Sequence, residues 1–223
     1  MNSLKDRLLN ILLYPAGFFE RLTDNRTTLY SGIVMVGAVD LLLPDVAAVL
    51  KHLFTGKPVN DVYINCFLVI LVIIVLGIID VTFVCVPLFD FFKFMKKKEG
   101  SIYVQEHGRE YEQIVTPAAS RIKTMKVYIM SHFVIIPVST IVYYAFLRNI
   151  AENSPIWMKN LALVIFMLIL LWSAAIMSRG INTLFRFNPI FARLTFIAVF
   201  AWNFLFGMVF DMQIMNWLMK LFR

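Results

Sequence analysis

Long apolar segments constrain this chain more than any other feature of its sequence. One of them, IVLGIIDVTFVCVPLF, runs over residues 74–89 and contains a single charged residue, Asp80. A helix that crosses a membrane needs about 20 predominantly apolar residues. Five segments meet this requirement, and they predict membrane spans at residues 28–50, 62–88, 127–147, 156–178 and 194–219.

The composition agrees with a chain that is largely buried in lipid. Apolar residues make up 60% of the sequence and charged residues 16%, and the mean hydropathy is +0.77. Soluble domains are about 45–50% apolar and about 25% charged. We therefore predict an all-α integral membrane bundle of five transmembrane helices in residues 28–223. The net charge of +7 arises mainly from cations that flank the apolar segments, and we expect no nucleic-acid partner.

The first 27 residues predict a cytoplasmic region that lies on the membrane surface. Leu4, Leu8 and Ile11 recur at helical spacing, opposite charged and polar residues. This pattern is typical of an interfacial amphipathic helix. Phe18 and Phe19 follow it, and both are candidates for contact with the lipid interface or a partner. The alternative is an ordinary amphipathic segment that packs on the protein.

The distribution of lysine and arginine predicts the orientation of the spans. Fifteen of the 21 basic residues precede the first span or lie between the second and third or the fourth and fifth spans. By the positive-inside rule, the N-terminus and a loop at residues 93–126 are cytoplasmic and the C-terminus is external. Lys96, Lys97 and Lys98 in that loop are candidates for contact with lipid or a partner. The alternative is that they only determine topology.

Several helix ends have local signals. Ser154-Pro155 and Asn188-Pro189 each place a capping side chain before a proline that suits a first helical turn. Arg179-Gly180 predicts the end of the fourth span, because glycine often terminates helices.

Five polar residues inside the apolar segments are candidates for a functional role. At about 1.5 Å per residue, Asp80 and His132 lie at a similar depth near the cytoplasmic side, where they can pair. Asp40 lies near mid-membrane and Asp211 toward the outside, while Asn203 belongs to the fifth span. These residues form either an ion or proton pathway or interhelical hydrogen bonds. Five spans without a visible internal repeat favour the structural interpretation.

No set of residues predicts catalysis or a cofactor. His52, His107 and His132 lie in three different regions and share no metal-ligand spacing, so we predict no enzyme and no metal site. Cys66 and Cys85 lie about 28 Å apart on one continuous helix, too far for a disulfide. We expect both to be buried free thiols.

The segment LLYPAGFFERL at residues 12–22 resembles the opening of bacterial Yip1-domain proteins. Pro15, the aromatic pair Phe18 and Phe19, and Leu22 carry the resemblance, and five spans with the N-terminus inside match the same family. The resemblance implies a multi-pass protein of the bacterial cytoplasmic membrane with a non-enzymatic accessory or scaffold function. Some members accompany ABC-type exporters as accessory subunits. Besides the lipid bilayer, the implied partner is another membrane protein, such as a transporter complex, or a second copy of the chain.

The alternative function is a small ion- or proton-coupled transporter or channel. In that hypothesis the buried Asp40, Asp80, His132 and Asp211 carry the coupling.

Overall fold

All regular elements in the described part of the chain are helices. The structure, a computed structural model, describes residues 10–41, 59–107, 119–146, 148, 150 and 154–209. Several predictions fall outside the described residues: Leu4 and Leu8 of the amphipathic helix, residues 42–50 of the first predicted span, residues 108–118 of the loop, and residues 210–219 of the last predicted span with Asp211. The helices are α1 (Ala16–Glu20), α2 (Arg26–Asp40), α3 (Val59–His107), α4 (Arg121–Ala145), α5 (Ile156–Phe185) and α6 (Pro189–Val209).

Four helices are long and apolar enough to cross a membrane. The qualifying stretches are Cys66–Ile102, Arg121–Ala145, Ile156–Phe185 and Pro189–Gly207. They overlap the last four predicted spans, and they indicate a multi-pass membrane protein. The remaining predicted span contains α2, whose 15 residues cover about 22 Å and so fall short of a full crossing by themselves.

Helices α2 and α4 run side by side in the same direction. Near the start of both helices, the Lys126 ammonium donates a hydrogen bond of 2.6 Å to the Thr23 carbonyl. At the far end of α2, Asp40 lies 2.8 Å from the His132 ring. Both helices therefore begin at the same end of the bundle.

Helix α3 runs in the opposite direction between them. The Asp90 carboxylate of α3 pairs with Arg121 at the start of α4. Asp80, which comes earlier in α3, accepts a hydrogen bond from Tyr128, which comes later in α4. Helix α4 also packs on α5, α5 packs on α6, and α6 returns to α3. The result is a ring of four long helices with α2 seated against α3 and α4.

Helix α3 extends well past the predicted end of its span. Its 49 residues measure about 74 Å, more than twice the hydrocarbon thickness of about 30 Å. Residues 93–107, which the sequence predicted as loop, continue the helix instead. The reason is packing, because Phe92 is fully buried against Phe185 and Phe187 of the α5–α6 turn.

An ion pair fixes this extension to the α5–α6 turn. Lys96 pairs with Glu99 at 2.6 Å and donates to the Arg186 carbonyl at 2.9 Å. Glu99 in turn accepts a hydrogen bond of 2.7 Å from the Asn188 amide. Lys96 is thus engaged within the chain, while Lys97 and Lys98 are exposed.

The two cysteines of α3 differ from each other. Both are free thiols, as the distance argument predicts. Cys85 is buried, but Cys66 is exposed on the helix surface, so the prediction that both are buried was wrong for Cys66.

The segment before α2 packs onto the bundle. Phe19 is fully buried, and its ring lies where a side chain at Gly180 of α5 would stand. Trp172 of α5 donates a hydrogen bond of 2.8 Å to the Leu12 carbonyl. The expected lipid contact is therefore wrong for Phe19, whereas Phe18 is 39% exposed.

The helix ends agree with the sequence signals only in part. Asn188 caps α6 as predicted, since its side chain accepts a hydrogen bond of 2.9 Å from the Phe191 amide. Helix α5 begins one residue late, with Pro155 itself at the N-cap position. The predicted stop at Gly180 is wrong, since α5 continues to Phe185. Gly180 instead leaves room for the side chains of Val127 and Phe19 to pack against the helix.

Arg186, which ends α5, has a left-handed backbone. Its φ is 51° and its ψ is 53°, a conformation that glycine adopts without the Cβ clash. We expect Arg186→Gly to stabilise the protein by about 1 kcal/mol, because the Lys96 bond to its carbonyl is retained. The thermal midpoint in detergent should rise by about 2–4 °C. Arg186→Ala keeps the clash, and an equal rise in that variant would contradict the explanation.

Candidate functional site

Three ionisable side chains meet between α2, α3 and α4. The Asp40 Oδ1 atom lies 2.8 Å from His132 Nε2, and the Asp80 Oδ2 atom lies 3.7 Å from His132 Nδ1. All three residues are buried, with exposed fractions of 2% for Asp40, 5% for Asp80 and 8% for His132. The imidazole therefore stands between two carboxylates from different helices. We call Asp40, Asp80, His132 and the adjoining Tyr128 the buried cluster.

Tyr128 joins the cluster from the turn before His132. Its hydroxyl lies 2.8 Å from Asp80 Oδ1 and 2.7 Å from Asp80 Oδ2, and donates to this carboxylate. Residues four apart on a helix share a face, and the Tyr128 and His132 rings lie 5.5 Å apart. Helix α4 thus presents a hydroxyl and an imidazole to the same carboxylate.

Two glycines allow α2 and α3 to approach closely enough to form the cluster. A Cβ atom at Gly37 would lie 1.9 Å from the Ile73 carbonyl oxygen, and one at Gly77 would lie 2.1 Å from the Ile33 carbonyl oxygen. Glycine is the residue that permits such contact between helix backbones in membranes. Each glycine precedes a cluster carboxylate by three residues, so the close contact brings Asp40 and Asp80 within reach of one imidazole.

The imidazole lies within hydrogen-bond distance of only one of the two carboxylates. The His132 Nε2 atom is 2.8 Å from Asp40 Oδ1, and it donates this hydrogen bond in the tautomer that carries the proton on Nε2. The 3.7 Å separation from Nδ1 to Asp80 exceeds hydrogen-bond distance. Asp80 receives its hydrogen bonds from Tyr128 instead.

One acceptor in the cluster has no partner among the described residues. The Asp40 Oδ2 atom is buried and makes no hydrogen bond to any residue that the structure describes. An unsatisfied buried polar atom costs about 1–3 kcal/mol, and more when the group is charged. A positively charged or hydrogen-donating group at this oxygen would therefore stabilise the cluster.

The structure unites some of the residues that the sequence singled out. Asp80 and His132 lie at one level, and Asp40 joins them although it was placed deeper in the membrane. The relative depths differ from the prediction because both helices extend past the predicted cytoplasmic ends of their spans, α3 to His107 and α4 back to Arg121, which places Asp80 and His132 further from those ends. Asn203 lies on α6, which packs mainly on α3 and α5, and its side-chain oxygen is buried without a hydrogen-bond partner among the described residues. Asp211 lies outside the described residues.

Sequence reasoning missed Tyr128 and Gly77. A signal for Gly77 was present, because Gly37-Ala-Val-Asp40 and Gly77-Ile-Ile-Asp80 share the pattern Gly-x-x-Asp on neighbouring apolar segments. The spacing of four between Tyr128 and His132 likewise placed both side chains on one helix face.

Comparisons with protein-family models, with curated proteins and with solved structures found no match to this chain. The resemblance to Yip1-domain proteins consequently remains a prediction from residues 12–22.

Proposed function

We propose that this protein is a small ion-coupled transporter of the cell membrane, in which the buried cluster binds the coupling ion. The observation that carries the proposal is the meeting of Asp40, Asp80 and His132 at one point inside the helix bundle. The sequence favoured a structural role for these residues. Because these residues meet at one point, and the Asp40 Oδ2 atom there has no hydrogen-bond partner among the described residues, we prefer ion binding to a structural role.

The cost of the cluster supports a functional role. An ionisable side chain at the centre of a bilayer costs about 2.5–3.5 kcal/mol on insertion scales, and such residues mark ion pathways and proton relays. Two carboxylates in one site add mutual repulsion. The second carboxylate also joins α3 to α4 through Tyr128, but an uncharged hydrogen-bonding side chain would join these helices without that repulsion.

The proposed topology retains five spans, with α2 as the described part of the first. Lysine and arginine side chains at the start of α4, the end of α3 and the α5–α6 turn lie at one end of the bundle, which we assign to the cytoplasm. Positive charge at that end supports a cytoplasmic N-terminus, an external C-terminus and insertion in a bacterial cytoplasmic membrane.

Ion flux in vesicles tests the proposed function. The purified protein is reconstituted, and proton or cation flux is followed under an imposed gradient. We expect Asp80→Asn and Asp40→Asn to lower the flux roughly tenfold or more, equivalent to about 1.4 kcal/mol of lost ion binding.

The matched control for the flux assay is Asp90→Asn on the same helix. Asp90 is 52% exposed in a surface pair with Arg121, so its variant should carry normal flux. Normal flux in folded Asp40→Asn and Asp80→Asn proteins would contradict the proposal.

An accessory or scaffold function, for example as the partner of an ABC-type exporter, is the second candidate. It is favoured by the hydrogen bonds of the cluster, which join α2, α3 and α4 as interhelical contacts do. Purification from the native host in mild detergent, followed by mass spectrometry and particle-mass measurement, separates the candidates. A stoichiometric membrane partner supports the scaffold, whereas a lone or self-associated particle supports the transporter.

A further inference from the structure

We propose that the buried cluster binds a divalent transition-metal ion through Asp40, Asp80 and His132. This inference rests on the proposed function and names its ion. One ligand atom from each residue lies within 4.8 Å of the others. In a tetrahedral Zn²⁺ site with bonds of about 2.0–2.1 Å, ligand atoms lie about 3.3–3.4 Å apart, so side-chain rotation has to bring the most widely separated atoms closer for all three to share one ion.

The donor atoms select the class of metal. Two carboxylate oxygens and one imidazole nitrogen form a mixed oxygen and nitrogen set, which suits Zn²⁺, Mn²⁺ or Fe²⁺. Ca²⁺ and Mg²⁺ prefer oxygen ligands alone and usually several of them. The central position of His132 therefore favours a transition metal over the alkaline-earth ions.

The unpartnered oxygen of Asp40 is the independent observation that points to a cation. This carboxylate is 2% exposed, its Oδ1 atom faces His132, and its Oδ2 atom has no hydrogen-bond partner in the described part of the chain. A carboxylate oxygen held away from water is stabilised by a nearby positive charge.

Charge balance agrees with a divalent ion. Ligands that bind a metal ion do so in their deprotonated form, so with the ion bound the two carboxylates and the neutral imidazole carry −2, which one divalent cation brings to zero. A monovalent cation would leave a net negative charge in a low-dielectric interior, where unbalanced charge is most costly.

Tyr128 acts on the proposed site through Asp80. Its hydroxyl donates to the Asp80 carboxylate and fixes the direction in which this ligand points. Hydrogen bonds to metal ligands from outside the coordination sphere orient those ligands. Tyr128 is therefore a positioning residue.

Cobalt binding to the tag-free, full-length protein in detergent tests the inference. Protein stripped with a chelator is titrated with Co²⁺, whose visible absorption reports coordination by protein ligands, and bound metal is counted by elemental analysis. We expect about one ion per chain, displaced by Zn²⁺. Asp40→Asn and His132→Gln should lose this binding, whereas Asp90→Asn should retain it.

Tyr128→Phe provides a test that leaves all three ligands in place. We expect Co²⁺ affinity to fall roughly 10–100-fold, with the stoichiometry unchanged. Unchanged affinity in this variant would overturn the positioning role. Absence of cobalt binding to the wild-type protein, or undiminished binding in folded Asp40→Asn, would overturn the metal site.

The outcomes separate this inference from the proposed function. Proton flux that depends on Asp40 in a protein that binds no metal would overturn the metal site and leave the transporter standing. Metal binding that depends on Asp40, in vesicles that show neither metal nor proton flux, would support the site and overturn the transporter.

Discussion

Replacement of Gly37 or Gly77 by alanine is expected to prevent normal folding of the bundle. In either variant the new methyl group would lie about 2 Å from a backbone carbonyl oxygen of the facing helix. Helix backbones cannot yield as a flexible side chain can, so α2 and α3 must separate. We expect a loss of roughly 3 kcal/mol or more, at the upper end of overpacking costs. Size-exclusion chromatography after heating in detergent measures the loss.

Gly207→Ala is the control for the glycine contact. Gly207 lies in α6, and a Cβ atom at this position meets nothing within 4 Å. Alanine favours the helix by about 1 kcal/mol over glycine, so this variant should be as stable as the wild type or slightly more so. Equal stability of Gly37→Ala and Gly207→Ala would contradict the close α2–α3 contact.

Replacement of His132 by alanine should have the second large effect. The substitution removes the imidazole that faces both Asp40 and Asp80, so the two buried carboxylates lose the group that compensates their charge. Removing one partner of a buried ionic pair costs about 3–5 kcal/mol. We expect a correspondingly lower midpoint of thermal unfolding, measured by tryptophan fluorescence in detergent.

A second substitution distinguishes loss of charge compensation from simple loss of packing. Adding Asp40→Asn to His132→Ala removes one uncompensated charge, and we expect the double variant to be more stable than His132→Ala alone. A cavity left by the imidazole would destabilise both proteins equally. The surface variant Asp90→Asn should cost no more than about 1 kcal/mol, which sets the scale for an exposed pair.

The N-terminal segment shows how a local pattern can indicate the wrong environment. Phe18 and Phe19 are adjacent aromatic residues, and both suited a membrane interface equally well. Only Phe19 is fully buried, because Gly180 leaves room for its ring beside Val127. The same glycine was predicted to end α5. Whether a glycine terminates a helix or admits a neighbour depends on what packs against it, and the sequence around residue 180 does not contain that information.

The helical class and the membrane setting followed from the sequence by itself. A helix satisfies its backbone hydrogen bonds within one segment, so an apolar stretch of sufficient length determines its own conformation in lipid. Local capping by Asn188 was predictable for the same reason, since donor and acceptor lie three residues apart.

The tertiary structure alone decided which buried polar residues meet. Asp40 and His132 are separated by 92 positions, and Tyr128 and Asp80 by 48. Their contacts depend on which helices are neighbours and on how each helix is rotated about its axis. Both are fixed by the close contact at Gly37 and Gly77 and by the continuation of α3 beyond the membrane. Depth along a span can be counted from the sequence, but lateral neighbours arise only when the helices pack.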